Sequence, residues 1–199
     1  MPEKRNYDSP ARREQAAATR ERIVAAGAEL VHELTTWDWS QLTFRAVANR
    51  AGVSERTVYR NFSTERLLHD AVMARLEDAA GINYAAVELD TVADVTGRVF
   101  ASLHRFAAEG SFSVPSGRSV PGANERRQAA LMRAVTERAP HLTDSQRKTA
   151  AGLLDVLWNP PSYERLVREW KLDDGTAIGA VQWLIGKIVE AVDANEIPE

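Results

Sequence analysis

The chain reads as all-α, an N-terminal three-helix unit followed by a larger helical bundle, and three observations lead there. Apolar residues recur three and four apart, as at Ile23, Ala26, Leu30 and Leu34 and again at Ile178, Val181, Ile185, Ile188 and Val192. Capping residues such as Thr43, Ser54 and Thr143 stand just ahead of such stripes. Residues 43–62, TFRAVANRAGVSERTVYRNF, condense the pattern into two short helices joined by a tight turn.

Composition narrows the class. The 199 residues are 44% apolar and 27% charged, ordinary for a soluble globular protein of one or two domains. There is no cysteine, and the four histidines are far apart, so no metal and no cofactor is expected. The N-terminus lacks the apolar core of a signal peptide, and nothing approaches 18 apolar residues in a row. A cytoplasmic protein without a membrane partner is expected. No nucleophile triad, H-E-x-x-H, P-loop or G-x-G-x-x-G occurs, and the scattered His104, Glu109 and Asp155 suggest no site, so an enzyme is not expected. Net charge is −3, but residues 1–62 hold ten Lys/Arg against eight Asp/Glu, and residues 63–199 fifteen against twenty. The N-terminal part is the one suited to a polyanion.

In chain order, residues 1–15 have two prolines and almost no apolar content, and are expected to form a flexible basic arm. Lys4, Arg5, Arg12 and Arg13 would either reach nucleic acid or remain solvated. The spacing predicts a helix over 16–34. Trp37 or Trp39 is then expected to seal the underside of the unit. Thr43 is placed to cap the next helix, whose Phe44, Val47, Ala48 and Ala51 share a face. Gly52 supplies the left-handed residue that stops it. Ser54 caps a second short helix with Val58 and Phe62 on its buried edge. Together they have the makings of a helix-turn-helix. Arg56 and Arg60 fall almost opposite that edge, flanked by Thr57 and Tyr59. Such a face suits a major groove, where arginine holds guanine and hydroxyls hold phosphate; its other reading is a solvated surface.

The run Ala51-Gly52-Val53-Ser54, Thr57-Val58-Tyr59, Phe62 and Leu68 resembles the signature of the TetR family of bacterial transcriptional regulators. The resemblance covers residues 16–80 well and the rest only in layout. It implies a homodimeric all-helical repressor, with a helix-turn-helix domain at 16–63, a connecting helix at 64–80, and a ligand-binding and dimerisation domain at 81–199. The DNA-facing candidates are Thr43, Ser54, Glu55, Arg56, Thr57, Tyr59, Arg60 and Asn61. Relatives usually carry a lysine where this chain has Glu65, so the chain departs there from the family's phosphate contact.

Beyond Ser63-Thr64, which caps the helix to about residue 80, Gly81–Asp90 reads as a connection and 91–109 as a helix. Residues 110–124 read as a loop, with helices at about 124–138, 144–158 and 175–194. Thr143 and Gln146 form a capping box, and Ser162 is expected to cap a short helix reaching Trp170. The last helix is apolar on one side and small on another, at Gly179 and Gly186. It is expected to face its own core on one side and a partner chain on the other; the alternative is a core helix of one subunit. Candidate effector-pocket residues are Val99, Phe100, Leu103, Phe106, Met132, Trp158 and Trp170, each more readily explained singly as core than as pocket wall. The expected function is operator binding released by a small molecule. The alternative is a ligand-independent dimeric DNA binder whose bundle only dimerises.

Overall fold

Helix formation starts at a proline. Helix α1 spans Pro10–Glu33, beginning where a missing N–H has no intrahelical partner to lose. The computed structural model describes residues 10–34, 39–109 and 120–199, except for the side chains of 103–109 and Pro121. The expectation of a flexible arm over 1–15 is therefore corrected at its end. Arg12 and Arg13 lie on α1, because Arg, Glu and Gln favour helix even where no apolar stripe announces it. Lys4, Arg5 and Trp37 lie outside the described residues.

Among the described residues there are nine α-helices and no strand. The described residues divide into two compact units, one of residues 10–33 and 39–75, the other of 34, 76–109 and 120–199. In the first, α1 packs on α2 (Phe44–Ala51) and α3 (Glu55–Asn61), with the start of α4 (Glu65–Ala79) alongside. Ile23, Val31, Val47, Val58, Phe62, Leu68 and Val72 are its buried centre. Gly27 lets α1 lie close to α4, since a Cβ there would stand 2.5 Å from Cγ2 of Val72. Trp39 opens a single 3-10 turn, Trp39–Gln41, and is buried with its ring 5.6 Å from that of His69. It closes the underside of the unit, as expected of one of the two tryptophans.

The second unit begins with the end of α4. Its connection holds two 3-10 turns, Tyr84–Ala86 and Leu89–Thr91. Helix α5 (Val92–Glu109) packs on α9 (Asp174–Asp193), and α6 (Pro121–Arg138) packs on α7 (Asp144–Leu157), which also meets α9. Helix α6 starts at Pro121 rather than near 124, again with proline in the first turn. Thr143 and Gln146 cap each other's backbone N–H groups at 3.2 and 3.0 Å, the expected capping box. The side chain of Asp173 caps α9 through the Thr176 N–H at 3.0 Å.

Between α7 and α9 lies α8 (Pro160–Glu164), continued by one π-helical turn, Arg165–Glu169. Ser162 does not cap this helix. Its hydroxyl donates to the Val156 carbonyl, and Asn159 precedes Pro160 at the first turn instead. By length and composition alone, α9 is apolar enough to cross a membrane. Its Ala177, Val181, Ile185 and Val192 are buried within the unit.

Candidate nucleic-acid interface

Local chemistry builds the two-helix motif. Thr43 is extended (φ −83°, ψ 159°), and its hydroxyl oxygen accepts the Ala46 N–H at 3.2 Å. Gly52 sits at φ +64°, a conformation that a side chain disfavours, and the Val53 N–H returns to the Ala48 carbonyl at 3.0 Å. Ser54 then accepts the Thr57 N–H at 3.2 Å and shares a 2.8 Å hydrogen bond with the Thr57 hydroxyl. The turn is thus closed from both sides within a dozen residues.

Helix α3 turns Val58 fully inward and leaves Glu55, Arg56, Tyr59 and Arg60 exposed. Neither Arg56 nor Arg60 pairs with an acid among the described residues. Tyr59 is 60% exposed, and its ring meets that of Phe44 edge-on, with centroids 6.1 Å apart. The first turn of α2 therefore borders the outer face of α3. Of the eight candidate residues, these four form the outward face, while Thr43 and Ser54 serve as caps beside it and the Thr57 hydroxyl is bonded to that of Ser54. Asn61 departs from the set. Its amide donates to the Thr57 carbonyl at 2.8 Å, a bond to its own helix, and the residue is half-buried.

Two cations, Arg50 of the motif and Arg20 of α1, are scaffold. Arg50 grips both oxygens of Glu33 on α1, at 2.9 and 2.5 Å, and this bond holds the Glu33 carboxyl below the usual carboxylate range. Arg20 donates to the Asn61 carbonyl at 2.8 Å and lies over the Phe62 ring, 4.0 Å from its centroid. It clamps the end of α3 to α1 and had no place among the sequence candidates. A signal existed: Arg20, itself exposed, stands four and seven residues ahead of buried Val24 and Gly27, on the same helical face of α1.

Glu65 has a definite partner. Its Oε1 accepts the Phe44 N–H at 3.2 Å, so the carboxylate sits on the N-terminus of α2.

The effector-pocket candidates separate in the second unit. Phe100 and Trp158 are buried against aromatic partners, Tyr163 at 4.9 Å and Tyr84 at 6.0 Å between centroids. Val99 and Met132 are half-buried, and the side chains of Leu103 and Phe106 lie outside the description. Trp170 is corrected. It is 70% exposed, at the end of the π-helical turn and just before left-handed Lys171 (φ 56°). Near Trp158, Glu77 is buried and bound by Arg126 at 2.8 Å and by the Tyr84 hydroxyl at 3.0 Å. Burial first, and the Glu77 charge second, push the Tyr84 phenol above its ordinary value. A groove of about 450 Å³ opens between α5 and α9, lined by Asp94, Gly97, Arg98, Ala101, Ile178 and Gln182, none of which was a candidate.

Residues 23–72 match the sequence model described as bacterial regulatory proteins, tetR family, a span that runs from within α1 to within α4. No curated protein and no solved structure matches the chain.

Proposed function

We propose, on the premise that the chain belongs to the tetR family of bacterial regulatory proteins through residues 23–72, that it acts as a homodimeric repressor released by a small molecule. That it is a DNA-binding transcriptional regulator comes with the family. The repression, the effector and the dimer are our reading. The observation that carries it is the outward face of α3, where Arg56, Tyr59 and Arg60 stand exposed on a helix capped at its start and clamped at its end. Arg56 and Arg60 would hold guanine edges in the major groove, while the Thr43, Ser54 and Thr57 hydroxyls face the flanking phosphates.

A second copy supplies the other half-site. The outer sides of α7 and α9 expose Leu153, Val156, Trp183 and Leu184, and Gly152, Gly179 and Gly186 have open space where a Cβ would stand. Two such helices from each chain bury one another as a four-helix interface. The pair of α3 helices would then enter successive major grooves about 34–36 Å apart. An effector held in the 81–199 bundle lowers operator affinity by favouring a dimer of another spacing.

Selection of bound fragments from the source genome tests this. The expected product is an inverted repeat protected in two half-sites and released by at least one compound of a metabolite library. Enrichment of no sequence sinks the regulator reading. Tight dimeric binding that no compound loosens leaves the ligand-independent alternative.

A further inference from the structure

Helix α3 is too short to hold its own direction. Its seven residues, Glu55–Asn61, span about 10 Å, fewer turns than a helix needs to persist alone in water. Its start is held from within, by Ser54 accepting the Thr57 N–H. Its end is held from outside. The last carbonyls of a helix lack intrahelical partners and carry the negative end of its dipole. The carbonyl of Asn61, the last residue of α3, accepts a hydrogen bond from Nη1 of Arg20 at 2.8 Å, across 41 residues of chain. Phe62 follows, 1% exposed, and the Arg20 guanidinium lies 4.0 Å from the centre of its ring. The buried ring gives the cation a fixed base. Neighbouring Glu21 pairs with Arg75 instead, and Arg20 has no acid partner among the described residues. Its charge is thus committed to the end of α3, one residue past Arg60.

We infer that Arg20 is a positioning residue for sequence discrimination, fixing the end of α3 and so the reach of Arg56 and Arg60 toward base edges. The inference rests on α3 being the DNA-reading helix. A paired arginine–guanine contact needs both hydrogen bonds in line, so a helix end that swings loses it. Phosphate contacts are driven by charge, carry no sequence information and tolerate the swing. Loss of the clamp therefore weakens operator binding more than random binding. It disturbs the fold little, because Arg20 is exposed and the buried centre of the unit stays in place.

Two variants test this. Arg20→Met keeps an apolar stem over Phe62 and drops the donor and the charge, whereas Arg20→Lys keeps both. Each is titrated with operator and with random duplex over a range of salt, and amide hydrogen exchange is followed in the free proteins. In Arg20→Met, operator affinity is expected to fall about 10- to 100-fold per dimer, two exposed contacts of ordinary strength being lost in each subunit. Random binding should change little, and Arg20→Lys should recover part of the lost discrimination. Exchange over 58–62 should quicken in Arg20→Met while the rest of the first unit keeps its protection. Equal losses on both duplexes with a shallower salt slope would make Arg20 a phosphate contact and overturn the inference. A lower melting temperature with discrimination intact would overturn it too, leaving Arg20 only a part of the fold. A wild type that prefers no sequence sinks the reading of α3 itself. A wild type that discriminates, beside an Arg20→Met that discriminates equally well, sinks the inference alone.

Discussion

Helices α3 and α9 each commit one side to their own unit and leave the other bare, yet the two bare sides could hardly differ more. Helix α3 is seven residues long and shows arginine, tyrosine and glutamate outward. Helix α9 is twenty residues long and shows Trp183, Leu184 and two glycines. Charge left uncompensated on a rigid helix asks for an opposite charge, and it is tolerated in water meanwhile. Apolar surface left open is unfavourable in water at about 25 cal/mol per Å², so it asks for cover at all times. The first face fits a partner that comes and goes, the second a partner that stays.

That contrast can be broken in order of expected effect. Gly179→Arg places a long cation where a second α9 would approach. The expected protein is largely monomeric in sedimentation, fully helical, and about 10²- to 10⁴-fold weaker on a two-half-site operator through lost bivalency. A stable dimer at micromolar concentration would place the interface elsewhere. On the other helix, Arg60→Ala should weaken specific binding by about 1–3 kcal/mol and random binding much less. Equal losses on both duplexes would reduce Arg60 to a phosphate contact.

Smaller effects sharpen the scaffold side of the comparison. Gly27→Ala forces a methyl onto the stiff, fully buried Val72, 2.5 Å away, and should destabilise the first unit by about 1–3 kcal/mol in chemical denaturation. An unchanged midpoint would mean that α1 and α4 can part without penalty. Ser54→Ala removes the α3 cap and should lower stability by about 1 kcal/mol, with DNA affinity falling alongside as α3 frays. Loss of stability with full affinity would show that DNA itself orders the helix.

The helix-turn-helix was legible because its determinants are close neighbours in sequence. Gly52 must be left-handed where α2 stops, Ser54 must cap two residues later, and Val58 with Phe62 must face inward for the helices to cross. The outward placement of Arg56 and Arg60 then follows from the helical period alone. Trp170 misled: it looked like a pocket wall because apolar residues usually lie inside, yet it is 70% exposed.

What the sequence by itself determined, then, is the set of helices, most of their caps and the chemistry of the α3 face, all products of interactions within a turn or two. What only the tertiary structure decided is which helix faces meet. Arg20 reaches Asn61 across 41 residues, Glu65 reaches Phe44 across 21, and Gly27 accommodates Val72. Periodicity says that a helix has an inside. It cannot say what that inside will touch, because the answer depends on the crossing of elements that the chain brings together only after each has formed its own hydrogen bonds.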